Sequence, residues 1–143
     1  MTKFTVRKNT QGKLEILDRV RRKYVACTDE EKVRQMTIVY LNETLNVPMS
    51  RIVVETALKV NNLSRRTDLL VINTQSKPAL IVECKAPSVK ITQEVFEQIA
   101  RYNLTLQVDY LMVTNGVEHY FCRLDFEKKM YQFIPELPDW REL

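Results

Sequence analysis

Between Pro78 and Pro87 the chain reads Ala79-Leu80-Ile81-Val82-Glu83-Cys84-Lys85-Ala86, a short apolar run that predicts a buried strand. Side chains on a strand alternate, so Ile81, Glu83 and Lys85 share one face while Leu80, Val82 and Cys84 share the other. Two opposite charges closing an otherwise apolar strand are costly to desolvate unless they meet each other, a partner or a metal. That pair marks the place to look for a site.

A second strand is predicted just upstream, over Arg66-Thr67-Asp68-Leu69-Leu70-Val71-Ile72, running into the turn residues Asn73, Thr74, Gln75 and Ser76. If the two strands form a hairpin across residues 73 to 78, Asp68 and Glu83 meet at one end of the sheet. An Asp followed on the next strand by Glu-x-Lys supplies what phosphodiester hydrolysis needs. Hard oxygen ligands hold Mg²⁺ with its waters, and a neighbouring cation orients the attacking water and offsets charge building on phosphorus. The bland alternative for Glu-x-Lys is an exposed ion pair, which contributes little.

After Pro87 a helix is expected to begin near Thr92, with Val95, Ile99, Tyr102 and Leu106 at helical spacing. Gln98 and Tyr102 lie four apart on one face, bordered by Arg101. Taken together, Arg65-Arg66-Thr67-Asp68, Ile81-Val82-Glu83-Cys84-Lys85-Ala86-Pro87, Gln98-Ile99-Ala100-Arg101-Tyr102-Asn103 and Val113-Thr114-Asn115-Gly116 resemble the PD-(D/E)xK nuclease superfamily. The resemblance is closest to the N-terminal nuclease domain of type I restriction enzyme R subunits and covers roughly residues 24 to 125.

The resemblance implies an α/β fold with a restriction-endonuclease-like α-β-β-β-α-β core, a central mixed sheet flanked by helices. It implies Asp68 and Glu83 as metal-binding carboxylates together with the Cys84 carbonyl, Lys85 as the catalytic lysine, and Mg²⁺, or Mn²⁺, as cofactor. Gln98 and Tyr102 match a Gln-x-x-x-Tyr element that steadies the site or contacts the DNA backbone. Their bland alternatives are a solvated helix position and a core aromatic. The family often places a helix acid near the metal, which makes Glu31 a supporting candidate. Arg65, Arg66, Lys90 and Arg101 border the site as candidate nucleic-acid contacts. In type I enzymes the corresponding domain precedes an ATP-driven motor, so motor or specificity subunits are implied partners beside DNA, and an oligomer is compatible.

Length bounds the architecture: 143 residues suit one domain with a real core. The expected divisions are an N-terminal hairpin at 1–23, the core at 24–125, and a strand and tail at 126–143. In the hairpin, Lys3 to Lys8 and Lys13 to Leu17 flank Asn9-Thr10-Gln11-Gly12. Thr28 with Glu31 three residues on reads as a capping box opening the first helix, whose buried stripe is Val33, Met36, Tyr40, Leu41 and Leu45 and which ends near Asn46 and Pro48. Capping accounts for Glu31 as well as a metal role does. Ile52 to Val60 alternates as a half-exposed strand with Glu55 outward, and Asn61-Asn62-Leu63-Ser64 reads as the turn after it.

Tyr110 to Val113 and Val117 to Leu124 flank the hairpin signal Asn115-Gly116, Met130 to Ile134 suits an edge strand, and Trp140 is expected to pack on the body. His119, the single histidine, reads as structural or surface. Only Gly12 and Gly116 occur, which excludes a Gly-rich phosphate loop and a nucleotide-hydrolysing site.

No stretch approaches a membrane span, the first twenty residues are too polar for a signal peptide, and three cysteines without zinc spacing suit reduced thiols; the expected location is cytoplasmic. Net charge is +4, with a basic run at Arg19, Arg21, Arg22 and Lys23. The leading expectation is therefore a metal-dependent DNA endonuclease domain. The alternatives are a non-cleaving nucleic-acid-binding module of the same fold, and a protein-interaction subunit whose run at 19–23 docks on an acidic partner.

Overall fold

A computed structural model describes residues 4–60, 63–104 and 106–143, with 56–60 and 63–66 as backbone only. Near the N-terminus β1 (Val6–Lys8), β2 (Leu14–Asp18) and β3 (Lys23–Ala26) form an antiparallel sheet. The expected hairpin is present, turned by Asn9, whose side-chain oxygen accepts from the amides of Gln11 and Lys13. It gains a third strand that the sequence did not announce, because Lys23–Ala26 pairs back onto Glu15–Asp18. The basic run is thereby the turn between β2 and β3.

Helix α1 (Asp29–Glu43) starts as predicted, the Thr28 hydroxyl accepting from the Glu31 amide at 3.0 Å and three acids standing in its first turn. The reciprocal half of a capping box is missing. The Thr28 amide bonds the Ala26 carbonyl instead, and the Glu31 carboxylate turns elsewhere. Met36, expected in the buried stripe, is 46% exposed. The stripe runs through Val33, Ile38 and Leu41, which leaves Met36 at the rim of a shallow groove with Tyr40 and Phe121.

The main sheet places β4 (Ile52–Val60), β5 (Leu63–Ile72), β6 (Pro78–Cys84), β7 (Tyr110–Thr114), β8 (His119–Asp125) and β9 (Met130–Ile134) side by side in chain order. β6 and β7 run parallel, as they must when α2 (Gln93–Leu104) crosses over between them, and the other neighbours are antiparallel. The mixed sheet between helices is the architecture that the resemblance implied. β5 begins three residues earlier than Arg66, so Leu63 and Ser64 belong to the strand and not to a turn; Asn61 and Asn62 lie outside the described residues.

Both faces of β5 and β6 are covered, which is why their sequences run apolar without a break. On the α1 side Leu69, Val71, Leu80, Val82 and Cys84 pack with Val33, Ile38 and Leu41. On the α2 side Leu70, Ile81, Leu111 and Val113 pack with Phe96, Ile99 and Ala100. The tail is tied down as expected: the Trp140 indole donates to the Ile72 carbonyl at 2.9 Å, and its amide to that of Leu45 at 2.8 Å. Among the described residues no helix is long and apolar enough to cross a membrane.

Candidate active site

Register builds the site before any side chain is considered. β4 and β5 pair Val54 with Leu69 and Thr56 with Thr67, so the position between them sets Glu55 opposite Asp68. β5 and β6 pair Leu69 with Val82, and the next step in that register sets Asp68 opposite Glu83. Three acidic positions thus align by register across three neighbouring strands, about 4.8 Å apart per strand. A row of like charges in a sheet is unfavourable and calls for cations.

Asp68 is the centre of the row. Its Oδ2 accepts a 2.7 Å hydrogen bond from the amide of Cys84, which lies in sequence between Glu83 and Lys85. Asp68 lines a cleft with Glu31, Arg34, Glu55 and Cys84, while strand alternation from Ile81 sets Glu83 on the α2 side of β6. Lys85 lies just past the end of β6, its amide bonded to the Thr114 carbonyl at 2.8 Å. Glu83 is buried, at 6% exposure. Burial pushes the Asp68 carboxyl above its ordinary range, and the charge of Glu55 adds to the rise; the Cys84 amide, Arg34 and Lys85 act against it. An acid whose ionised form is so poorly supported gains from an added cation.

Glu55 is the residue that local pattern misses. Instead of pointing outward it adopts φ +52°, a left-handed conformation uncommon outside glycine, and its carboxylate swings to two arginines. Arg34 Nη1 donates to its Oε1 at 3.0 Å, and Arg21 Nη1 lies 3.5 Å from its Oε2. Arg34, buried on α1, also donates from Nε to Glu31 Oε2 at 2.9 Å and from Nη2 to Glu31 Oε1. Burial alone would lower the pKa of Arg34, but Glu31 and Glu55 on either side hold its guanidinium firmly charged.

The network then closes on itself. Gln35 donates to Glu31 at 3.1 Å and accepts from the Arg19 amide at 3.2 Å, while Arg21 donates from Nε to the buried Asp18 at 2.6 Å. A ring of Asp18, Arg21, Glu55, Arg34, Glu31 and Gln35 thereby joins the N-terminal sheet, α1 and β4. It borders a cleft lined by Arg21, Thr28, Glu31, Arg34, Glu55 and Asp68. Glu31 is therefore brought to the site, as expected, but as an ion-pair partner of Arg34. Pairing Val60 directly with Leu63 is what aligns Glu55 with Asp68; a four-residue turn at 61–64 hides that alignment.

Helix α2 sorts the remaining candidates by face. Thr92 caps it, accepting from the Val95 amide at 3.2 Å, and Phe96, Ile99, Ala100 and Asn103 form its buried side. At about 100° per residue, Gln98 and Tyr102 fall on the flank shared with Val95, Gln98 exposed and Tyr102 half-buried. Arg101 falls on the opposite flank, where with Glu97 and Leu104 it lines a groove against Tyr131 and Phe133 of β9, the far edge of the sheet. The structure therefore does not bring Arg101 to Asp68. Lys90 is exposed on the loop after Lys85, next to Val89, whose carbonyl accepts from Asn115 at 2.9 Å. The side chains of Arg65 and Arg66 lie outside the described residues. His119 is exposed and hydrogen-bonds Thr114 Oγ1 through Nδ1 at 2.7 Å, a structural contact in a hairpin.

Among the described residues no group of three His, Cys, Asp or Glu side chains is spaced to hold a metal ion. Glu55, the third acid in the register, is turned to Arg34 and Arg21. What remains at Asp68 and Glu83 is a pair of hard oxygen donors, and one or two carboxylates with water are the usual protein share of a Mg²⁺ site. The Cys84 thiol is no competitor: it is buried against α1, and burial pushes its pKa well up.

Comparison with known proteins bears on the fold and the family. A crystal structure described as a candidate nuclease belonging to DUF820, from Anabaena variabilis ATCC 29413, is similar in fold. The TM-score is 0.52 at 11% identity, over 84% of this chain and 80% of that one. No curated protein matches the sequence. The family model described as type I restriction enzyme R protein N terminus matches residues 29–138, and with that extent the chain belongs to this restriction-type family.

Proposed function

We propose that this domain is a metal-dependent DNA endonuclease of the restriction type, with Asp68, Glu83 and Lys85 as its hydrolytic centre. The observation that carries the reading is the pairing of Asp68 with the Cys84 amide at the end of β6, which holds one carboxylate beside the Glu-x-Lys pair. Membership of the R-subunit family and a nuclease-like fold support it.

Asp68 and Glu83 would hold Mg²⁺, with the Cys84 carbonyl as a further oxygen donor; the ion would supply Lewis-acid polarisation of a phosphoryl oxygen and a more acidic water. Lys85 orients the attacking water and offsets charge on the phosphoryl oxygens. Burial of Glu83 excludes bulk water from that side of the centre. Gln98 and Tyr102, one turn apart on a single flank of α2, brace the site or the DNA backbone beside it. DNA is the expected substrate, and motor or specificity subunits of a restriction system the expected partners.

Nicking of supercoiled plasmid with added Mg²⁺ or Mn²⁺ tests the proposal. Cleavage that vanishes in both Glu83→Gln and Lys85→Ala is the expected result. Cleavage that persists in both removes the hydrolytic centre from these residues.

A further inference from the structure

Charge is divided unevenly by the fold. Residues 1–26 carry eight Lys and Arg against two acids, whereas residues 27–143 carry fourteen against sixteen. The part of the chain that holds the acidic row is itself slightly negative. A DNA duplex, with one negative charge per about 1.7 Å of axis, gains nothing by approaching it unaided.

The positive excess is displayed on the sheet β1–β3. Lys8, Lys13, Arg22 and Lys23 are exposed, and among the described residues none of them has an acid within ion-pairing distance. They fall into two groups at opposite ends of the ribbon: Lys8 and Lys13 flank the β1–β2 turn, and Arg22 and Lys23 the β2–β3 turn. The five residues of β2 that separate the groups span about 17 Å, enough to bridge a DNA groove about 12 Å wide. Arg21, inside the second turn, is engaged otherwise, since it is held by Asp18 and Glu55. That bond fixes the basic turn at the rim of the cleft containing Asp68.

We propose that the three-stranded ribbon is the DNA-docking surface of this domain, gripping the phosphate backbone of duplex DNA without regard to sequence. The ribbon presents that backbone to the acidic row, and the ring through Arg21 and Glu55 sets the distance between grip and site. The proposal rests on the hydrolytic reading for its choice of DNA as the polyanion.

Binding of a labelled duplex to the full chain, measured in EDTA between 50 and 200 mM salt, separates the two ideas. The combined variant Lys8→Ala, Lys13→Ala, Arg22→Ala, Lys23→Ala is expected to bind at least about tenfold more weakly. Its plot of log affinity against log salt should be shallower by about 0.9 for each phosphate no longer neutralised. Replacing the three lysines by arginine should preserve both quantities. Unchanged affinity and slope in the fourfold variant overturns the proposal, as does poly-glutamate binding as tight as the duplex, which would assign the ribbon to an acidic protein. If the duplex is bound through the ribbon but never nicked with Mg²⁺ or Mn²⁺, the docking surface stands and the hydrolytic reading falls. If nicking persists while the fourfold variant binds normally, the reverse holds.

Discussion

The carboxylate of Asp68 and the backbone amide of Cys84 are joined by a 2.7 Å hydrogen bond that crosses from β5 to β6 where their ladder ends. It ties an acid to the middle of Glu83-Cys84-Lys85 through a main-chain donor, so the alignment rests on the short Asp68 side chain and not on a long, flexible one.

A consequence for stability follows at this residue. Burial first, and then the Glu55 charge, raise the Asp68 pKa above its ordinary 3.8. Between 3.8 and the raised value the folded state holds more protons than the unfolded one, so stability falls as pH rises through that window, and ionised Asp68 remains a burden at neutral pH. Asp68→Asn, which keeps an acceptor for the Cys84 amide, is expected to raise the melting temperature of metal-free protein while lowering cleavage about 10²- to 10³-fold. Added Mg²⁺ should stabilise the unaltered protein and not the variant. Calorimetry with and without the ion checks both; a lower melting temperature for Asp68→Asn contradicts the first.

Asp18 gives the opposite sign. Burial would push its carboxyl up, but the Arg21 guanidinium and the Arg21 and Val20 amides hold it below 3.8. Its contribution to stability is present above 3.8 and is lost as pH falls through the depressed folded value. Asp18→Asn should cost about 1.5–3 kcal/mol at pH 7, the range for hydrogen bonds to charged groups. Urea titrations at pH 7 and pH 3 should show the gap to the unaltered protein narrowing in acid. A constant gap would mean that the carboxylate charge plays no part.

Removal of Arg34 is a harsher change. Its side chain is buried between Glu31 and Glu55, and Arg34→Met leaves Glu31 charged and without its main partner. The expected loss is about 2–4 kcal/mol, below the upper range for buried pairs because Glu55 keeps access to water and to Arg21. Glu31→Gln, which retains hydrogen-bonding oxygen, should lose less. If Glu31 served only to cap α1, the effect of Glu31→Gln would be the same with Arg34 present or replaced by methionine, and a double-mutant cycle measures that coupling.

Much of this arrangement is legible in the sequence wherever the controlling interaction is local. Ile52–Val60 and Met130–Ile134 alternate and are strands with those bounds, and Thr28 and Thr92 sit where their helices start. The acid-bearing ends of β5 and β6 can be aligned because Asn73 closes a short turn, its side chain bonded to the Gln75 and Lys77 amides. What stays hidden is whatever depends on a distant partner. Arg21 and Glu55 are 34 positions apart, and neither the left-handed backbone of Glu55 nor the pairing of β3 leaves a periodic trace. Met36 satisfies helical spacing yet faces a groove, because spacing defines a stripe and only packing decides which neighbour lies over it. Arg101 borders Gln98 and Tyr102 in sequence, but the curvature of the helix surface carries it to the other side.

That separation on α2 gives a test of which flank serves the site. Gln98 and Tyr102 lie on the side of the helix away from β9, while Arg101 lines the groove beside Tyr131 and Phe133. If the first flank braces the hydrolytic centre, Gln98→Ala and Tyr102→Phe should each slow single-turnover cleavage about ten- to a hundredfold, the scale on which small misplacements act. Arg101→Ala should leave the rate at saturating DNA unchanged. Single-turnover conditions matter here, because they divide a change in the chemical step from a change in DNA affinity. Equal slowing by all three substitutions would show that the helix as a whole, and not one of its flanks, supports catalysis. Slowing by Arg101→Ala alone would move the working surface to the β9 edge.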